Sequence, residues 1–178
     1  TRSRSPVNCF SEATIISINR DGGFVVAWYS NGQDGDGYGV YGQRYDNSGV
    51  AGETEFQVNT YTDSYQLEPS VTSLHDGGFV VTWSSEYQDG DRHGVYGQRY
   101  DSSGVAADEE FQINTHTDSN QTRPSITSLS DGGFVVTWSS EYQDGDSKGI
   151  YGQRYDSSGV AVGNEFQVNT YTASWQTD

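Results

Sequence analysis

Cysteine, methionine and basic side chains are scarce or missing in this chain of 178 residues. The single cysteine, Cys9, cannot form an intramolecular disulfide and has no cysteine or histidine at metal-ligand spacing. No apolar run approaches the length of a transmembrane helix, so we expect no membrane insertion. The opening residues, TRSRSPVNCF, lack the apolar core of a signal peptide, and we expect a mature or excised piece of a longer protein.

Positive charge is the other shortage. Only 9 lysines and arginines stand against 25 aspartates and glutamates, which gives a formal net charge of −16. Such a surface repels phosphates, so we predict no nucleic-acid partner. Cations are the natural counterpart of this charge, and simple solubility is the alternative explanation.

The chain contains three copies of one sequence repeat. DGGFVV occurs at 21, 76 and 131, YGQRYD at 41, 96 and 151, and EFQ at 55, 110 and 165, a common spacing of 55 residues. Internal periods of this size are typical of repeat architectures. We divide the chain into a non-repeat segment, 1–11, and three units, 12–66, 67–121 and 122–178.

Each unit predicts four short strands. In the second unit these are 69–74, 79–85, 95–101 and 110–114, with Asp-Gly and Ser-Gly turns between them. No segment has the 3.6-residue period of a helix.

Alternation along FVVTWSS predicts sheets that are covered on both sides. Phe79, Val81 and Trp83 share one face, whereas Val80 and Thr82 share the other. We therefore predict an all-β fold of β-propeller-like blades that cover one another, with a linear β-repeat or solenoid as the alternative. Three blades do not close a ring, so we expect self-association, as a homo-oligomer or filament, or a place in a longer array.

The run DGGFVVTWSSEYQDGDRHGVYGQRYDSSGVAADEEFQINTHT resembles tandem repeats of very large secreted proteins of bacteria and cyanobacteria. Those proteins are adhesin-like or bind calcium in the repeats-in-toxin manner. The resemblance covers all three units. It implies an extracellular or cell-surface location and a structural, adhesive or ligand-binding role, and it implies no reaction.

The phrase D-G-D-x-x-G, found at 34–39, 89–94 and 144–149, is a partial calcium-loop pattern. Calcium prefers six to eight oxygen ligands, but position 5 is Tyr38, His93 or Lys148, and the acid at position 12 is missing. Two interpretations stand, a calcium site or a hydrogen-bonded turn. The candidate metal ligands are Asp34, Asp36, Asp89, Asp91, Asp144 and Asp146.

Three arginines recur in mid-strand, namely Arg44, Arg99 and Arg154. Because an unpaired buried charge is costly, we predict structural ion pairs. The expected partners are Glu55, Glu110 and Glu165 or Asp46, Asp101 and Asp156. An anion clamp facing a central channel is the alternative.

Aromatic side chains in the loops are candidate sugar platforms, because rings stack on apolar sugar faces and nearby amides bind hydroxyls. The candidates are Tyr61, Tyr65, Tyr87, His116, Tyr142, Tyr171 and Trp175. The alternative is that these side chains pad blade contacts. Trp28, Trp83 and Trp138 lie inside predicted strands, and we assign them to the core.

The sequence does not indicate an enzyme active site. His75, His93 and His116 fall at different repeat positions, whereas an active site is usually a single asymmetric arrangement. We predict an extracellular, non-enzymatic β-repeat module for adhesion or self-assembly, with calcium as a stabilising ion. A carbohydrate-binding, lectin-like module and a filament subunit are the alternatives.

Overall fold

The computed structural model describes residues 13–18, 22–52 and 54–172, and these form twelve strands. In chain order they are β1 (Ala13–Ile18), β2 (Gly23–Asn31), β3 (Tyr38–Tyr45), β4 (Phe56–Gln57), β5 (Gln66–Ser73), β6 (Phe79–Glu86), β7 (His93–Tyr100), β8 (Phe111–Gln112), β9 (Gln121–Ser128), β10 (Phe134–Glu141), β11 (Lys148–Tyr155) and β12 (Ala161–Gln167). Consecutive groups of four make three antiparallel sheets, called blades 1, 2 and 3. Within the described residues, no helix is long and apolar enough to cross a membrane.

The hairpin between the first two strands of a blade depends on its Asp-Gly-Gly turn. Gly77 adopts φ of 90°, a left-handed conformation that favours glycine. Gly78 donates its N–H to the Asp76 carboxylate at 2.9 Å, and a side chain on Gly78 would meet the Tyr100 carbonyl oxygen at 2.3 Å. Local backbone geometry therefore requires the repeated DGG.

The first strand of a blade begins earlier than the sequence predicts, at Gln66 instead of 69. Its pairing with β6 shifts register between Leu67 and Ser70, because Glu68 turns into the left-handed region with φ of 57°. Arg123 repeats this conformation in blade 3, with φ of 58°.

In blades 1 and 2 the fourth strand has two residues, instead of the five predicted for the second unit, whereas in blade 3 it has seven. Beyond β8, Ile113 still donates to the Val95 carbonyl at 2.8 Å. The Val95 N–H is then bound by the side-chain oxygen of Asn114 at 2.7 Å. A side-chain amide thus replaces the next backbone partner and ends the ladder.

The blades stack face to face, and each has an aromatic face and an aliphatic face. On the aromatic face of blade 2, Phe79, Val81 and Trp83 pack against the aliphatic face of blade 1. On its aliphatic face, Val80 and Val95 pack against the aromatic face of blade 3. Both faces of blade 2 are covered, which confirms the prediction made from the FVVTWSS alternation.

First strands of neighbouring blades lie beside each other, as in a propeller whose first strands surround the axis. Ser70 accepts a hydrogen bond from the Ile126 N–H at 3.3 Å, and Thr72 accepts one from the Ser128 N–H at 3.1 Å. Hydroxyl groups therefore link β5 to β9 across the blade boundary. The all-β, open propeller-like fold predicted from the sequence is confirmed.

Candidate functional site: crevices between the blades

The first aspartate of each D-G-D-x-x-G loop closes the loop on itself. Asp89 accepts a hydrogen bond from the Asp91 N–H at 3.3 Å. Its other carboxylate oxygen lies 2.6 Å from where a Cβ on Gly94 would stand. The final glycine of the motif is therefore required by the carboxylate that folds over it. Gly90, with φ of 97°, supplies the left-handed residue of the turn.

In the first two loops, the second aspartate ties the loop to the segment that connects two blades. Asp36 accepts a hydrogen bond from the Ser64 N–H at 3.1 Å, and Asp91 accepts one from the Ser119 N–H at 2.8 Å. In the third loop, Asp144 accepts from the Gln167 side chain at 3.1 Å, and Asp146 accepts from the Ser147 N–H at 2.8 Å.

In all three D-G-D-x-x-G loops the aspartates accept hydrogen bonds, as expected if the motif forms a hydrogen-bonded turn. Within residues 13–18, 22–52 and 54–172, no group of three or more acidic, histidine or cysteine side chains is placed to hold a metal ion. Calcium binding by Asp34, Asp36, Asp89, Asp91, Asp144 and Asp146 stays a prediction.

The recurring arginines have partners other than those expected from the sequence. Arg44 donates to the Ser102 carbonyl at 2.8 Å and also to the Ser103 carbonyl. Arg99 donates to the Ser158 carbonyl at 2.6 Å, and it forms an ion pair with Asp108 at 2.8 Å. Both side chains thus reach a turn of the next blade, because they project from the aliphatic face towards it.

Arg154, the third arginine of the series, instead binds Asp131 within its own blade. The glutamates that were expected to pair with the arginines make different contacts. Glu110 accepts hydrogen bonds from the Gln88 side chain at 2.5 Å and from the Thr60 N–H at 2.6 Å. Glu165 repeats the second contact with Thr115 at 2.7 Å. These glutamates link neighbouring blades without a positive charge.

Two tyrosines occupy a backbone conformation that suits glycine. Tyr87 and Tyr142 have φ of 63° and 62°, and the equivalent residue of blade 1 is Gly32, with φ of 70°. A left-handed conformation costs an L-residue about 1–2 kcal/mol. The two side chains are 56% and 65% exposed, so burial does not offset that cost. Residues held in strained conformations cluster at functional sites.

We use the name crevice 2 for the polar cluster at the boundary between blades 2 and 3, around Glu141, the residue before Tyr142. Glu141 accepts hydrogen bonds from the Asn120 amide at 2.8 Å and the Ser119 hydroxyl at 3.2 Å, and Lys148 lies 3.3 Å away. His93 contacts the Asn120 side-chain oxygen at 3.2 Å. The crevice consists of Asp91, His93, Ser119, Asn120, Glu141, Tyr142 and Lys148.

Crevice 1 is the equivalent place between blades 1 and 2, and it is richer in rings. Glu86 binds the Ser64 hydroxyl, and its N–H donates to the Tyr65 carbonyl at 2.9 Å. Tyr65 meets Tyr38 edge-to-face, with ring centroids 5.6 Å apart. The crevice consists of Asp36, Tyr38, Ser64, Tyr65, Glu86 and Tyr87.

The carboxylate in crevice 2 is held in its charged form. Burial raises the pKa of Glu141, but hydrogen bonds from Asn120, Lys148 and Ser119, together with the charge of Lys148, outweigh it and leave the pKa below its usual range. At neutral pH this group is therefore an acceptor for hydroxyl donors.

The other predicted aromatic residues lie outside these two clusters. Tyr61 and His116 lie earlier in the connecting segments, where their carbonyls accept from the Asn59 and Asn114 amides at 2.9 and 2.8 Å. Tyr171 is exposed, and Trp175 lies outside the described residues. Of the predicted aromatic residues, Tyr65 contacts Tyr38 in crevice 1, and Tyr87 and Tyr142 directly follow the crevice glutamates Glu86 and Glu141 in the chain.

Sequence reasoning missed the polar half of the crevices, including Glu86, Glu141 and Asn120. A signal was present, because the repeats differ there: Tyr65 is replaced by Asn120 one repeat later. Trp83 and Trp138 are buried, as the core assignment requires, whereas Trp28 is half-buried on the outer face of blade 1.

A cavity lies beside the first strands, with a volume of about 420 Å³. In it Glu68 accepts the Arg123 N–H at 2.8 Å, and the two side chains approach to 3.8 Å. Glu68 is the one carboxylate among the described residues that line this axial cavity. The lining residues are Thr14, Glu68, Pro69, Ser70, Arg123, Pro124 and Ser125.

Comparisons of the fold lead to proteins that handle carbohydrates. An endo-1,4-β-xylanase from Bacteroides thetaiotaomicron aligns with a TM-score of 0.54 and 12% identity, over 87% of this chain and 59% of its own. An α-L-arabinofuranosidase from Lactobacillus brevis aligns with a TM-score of 0.51 and 13% identity, over 88% and 55%. This chain therefore spans little more than half the length of these two enzymes.

A lectin is similar over its whole length. The fucose lectin from Kordia zhangzhouensis, solved in complex with methyl-fucoside, has a TM-score of 0.51 and 15% identity, over 90% of this chain and 99% of its own. At these identities the likeness shows the fold alone. No family model and no curated protein sequence matches the chain.

Proposed function

We propose that this protein is a carbohydrate-binding module that binds neutral glycans in crevices 1 and 2. The observation that carries the proposal is the pair of exposed tyrosines, Tyr87 and Tyr142, held in a strained conformation beside hydrogen-bonded carboxylates. A ring that stacks on the apolar face of a sugar, next to groups that bind hydroxyls, is the usual composition of such a site.

The charge of the crevices favours neutral sugars. Glu86 and Glu141 are hydroxyl acceptors, and a net charge of −16 repels sulfated or sialylated glycans. Crevice 1 adds Tyr38 and Tyr65, whereas crevice 2 offers His93, Asn120 and Lys148 in their place. We therefore expect related but unequal sugar preferences at the two sites.

The Kordia lectin, named for fucose, supports binding as the task of such a fold, by analogy at the level of fold only. The xylanase and the arabinofuranosidase raise hydrolysis as a second candidate. Glycosidases usually need a pair of carboxyl groups, one on each side of the scissile bond. Glu68 is the one carboxylate among the described residues lining the axial cavity. Hydrolysis stays the second candidate.

Two weak sites on one rigid body gain from multivalency when they meet a surface that carries many glycans. This effect links sugar binding to the adhesive role expected from the resemblance. Adhesion, an extracellular location and stabilisation by calcium stay predictions.

A panel of immobilised neutral and sulfated glycans, including α- and β-methyl-fucoside, tests the proposal. We expect binding to neutral glycans only, and a loss of at least tenfold in the Tyr87→Gly/Tyr142→Gly double variant. That variant should fold normally, because blade 1 carries Gly32 at the same position.

The matched control is Val105→Gly/Val160→Gly, which removes two equally exposed side chains outside the crevices. Binding to no neutral glycan, or equal binding by the two double variants, would contradict the proposal.

A further inference from the structure

We infer that blade 3 of one copy packs against blade 1 of a second copy, reproducing between chains the contact that joins consecutive blades within the chain. The inference does not depend on the proposed sugar sites. It rests on two outer sheet faces, one on blade 3 and one on blade 1. The equivalent faces inside the molecule are each covered by a neighbouring blade.

The aliphatic face of blade 3 is the first of these surfaces. Ile113 of blade 2 is 2% exposed, because blade 3 covers it, whereas its equivalent Val168 is 49% exposed. Phe111 is half-buried, whereas its equivalent Phe166 is 44% exposed. Val135 and Ile150 complete the apolar surface, and their equivalents Val80 and Val95 are fully buried.

The aromatic face of blade 1 is the complementary surface. Phe24 and Tyr45 stack at 4.8 Å, as Phe79 and Tyr100 do at 4.7 Å in blade 2. In blade 2 this stack is covered by Phe56 of the preceding blade, 5.3 Å from Tyr100. In blade 1 Phe24 and Tyr45 are only half-buried. Phe166 of a second copy would take the position that Phe56 holds over the stack.

Two kinds of hydrogen bond join consecutive blades within the chain. For each of them, the donor and the acceptor have equivalents on the two outer faces, one on blade 1 and one on blade 3. Arg44 and Arg99 bind carbonyls of the next blade's turn, at 102–103 and 157–158. Arg154 of one copy would bind the equivalent carbonyls of Asn47 and Ser48 in the other. A Cβ added to Gly104 would lie 2.6 Å from Arg44, and one added to Gly159 would lie 2.8 Å from Arg99. A Cβ added to Gly49, the equivalent glycine of blade 1, has no atom within 4 Å. Space for the arginine is therefore open on blade 1.

The second link uses a glutamate. Glu110 and Glu165 accept the N–H and hydroxyl of Thr60 and Thr115 in the preceding blade. Glu55 is the equivalent of these glutamates on blade 1, and Thr170 is the equivalent of these threonines on blade 3. We assign Glu55 and Thr170 as partners across the contact between copies.

The contact is heterologous, because the two faces differ, so it joins copies head to tail. Two copies that use both pairs of faces make a six-bladed ring, and copies that use one pair in succession make a filament. Both are outcomes of the same contact.

The test is the mass in solution, by light scattering over a range of protein concentrations. We expect the wild-type chain to associate to at least twice 19.5 kDa and Phe166→Asp to remain a monomer. The matched control is Val160→Asp, because Val160 is 61% exposed and its equivalents Val50 and Val105 stay exposed beside covered blades. This variant should associate like the wild type.

Complementation gives a second readout. Phe166→Asp blocks the aliphatic face, and Glu55→Lys blocks the exposed edge of the aromatic face without altering a buried side chain. Each variant alone should be monomeric, and an equimolar mixture should form a dimer through the two intact faces. A wild-type monomer at every concentration, or equal association of Phe166→Asp and Val160→Asp, overturns the inference.

Discussion

The contacts between blades and the crevices beside them differ in how strictly they repeat. Across the blade contacts, the same residue does the same thing 55 positions later: Glu110 binds Thr60 as Glu165 binds Thr115. In the crevices the equivalent positions diverge, as Tyr65 gives way to Asn120. Repetition therefore builds the scaffold, and departures from it create two chemically distinct surfaces.

We expect the largest loss of stability when a tryptophan is removed from a covered blade face, compared with the equivalent tryptophan on an outer face. Trp83→Ala opens a cavity between blades 1 and 2, and we expect it to lower the free energy of unfolding by about 3–5 kcal/mol. Trp28→Ala, on the half-buried outer face of blade 1, should cost clearly less. Urea denaturation measures both. Equal losses would show that the outer face is packed as tightly as the inner one.

A smaller effect is expected from the polar links between blades. Glu110→Ala leaves the Thr60 N–H and hydroxyl without their acceptor, at a cost of about 1–3 kcal/mol. In a monomer at low concentration, Glu55→Ala loses the contact with Gln33, and among the described residues Glu55 has no link to a threonine, so the change should cost less. The difference between the two unfolding midpoints measures the link across blades.

The loop motif predicts a clash that one further change can relieve. Gly94→Ala places a methyl group 2.6 Å from the Asp89 carboxylate, and overpacking of this kind costs about 1–3 kcal/mol. The double variant Asp89→Ala/Gly94→Ala should recover part of the loss. A double variant no more stable than Gly94→Ala alone would show that the Asp89 carboxylate is not what requires the glycine.

The crevice tyrosines predict an unusual order of stabilities. Tyr87→Gly should be more stable than Tyr87→Ala by about 1 kcal/mol, because only glycine adopts φ of 63° without strain. Thermal unfolding of the two variants provides the comparison. Alanine as the more stable replacement would show that the tyrosine is not held under strain.

The smallest expected effect is on acid stability. Because the pKa of Glu141 is lowered by folding, its contribution is present above the pKa of the unfolded chain and is lost as pH falls through the folded value. Glu141→Gln should therefore reduce stability at neutral pH and flatten the decline in acid. Urea midpoints measured across the acid range check this, with Glu109→Gln as the exposed control.

Much of the scaffold could be predicted from the sequence, because the 55-residue period and the two-sided FVVTWSS strand both require blades that cover each other. The bulge at Glu68 could not be predicted, since nothing in QLEPSV marks a left-handed glutamate. The early end of β8 could not either, because it depends on the Asn114 side chain reaching the Val95 N–H.

The candidate site could be predicted only in part. Exposed aromatic residues beside QDGD pointed to Tyr87 and Tyr142, but the groups that bind the preceding glutamates, Glu86 and Glu141, come from the segments that connect two blades. Glu141 meets Ser119 and Asn120 only after the connecting segment folds back beside blade 3. The arginine partners were wrongly expected for the same reason, since Arg44 reaches a turn that lies 58 residues further along the chain.

The most direct test of sugar binding is NMR chemical-shift mapping during titration with methyl-fucoside and the best neutral glycan from the panel. We predict shifts at the backbone amides of Tyr87, Asn120 and Tyr142 and none at Arg123 in the axial cavity. Shifts confined to the axial cavity, or no shifts with any neutral glycan, would contradict the proposal that sugars bind in the crevices.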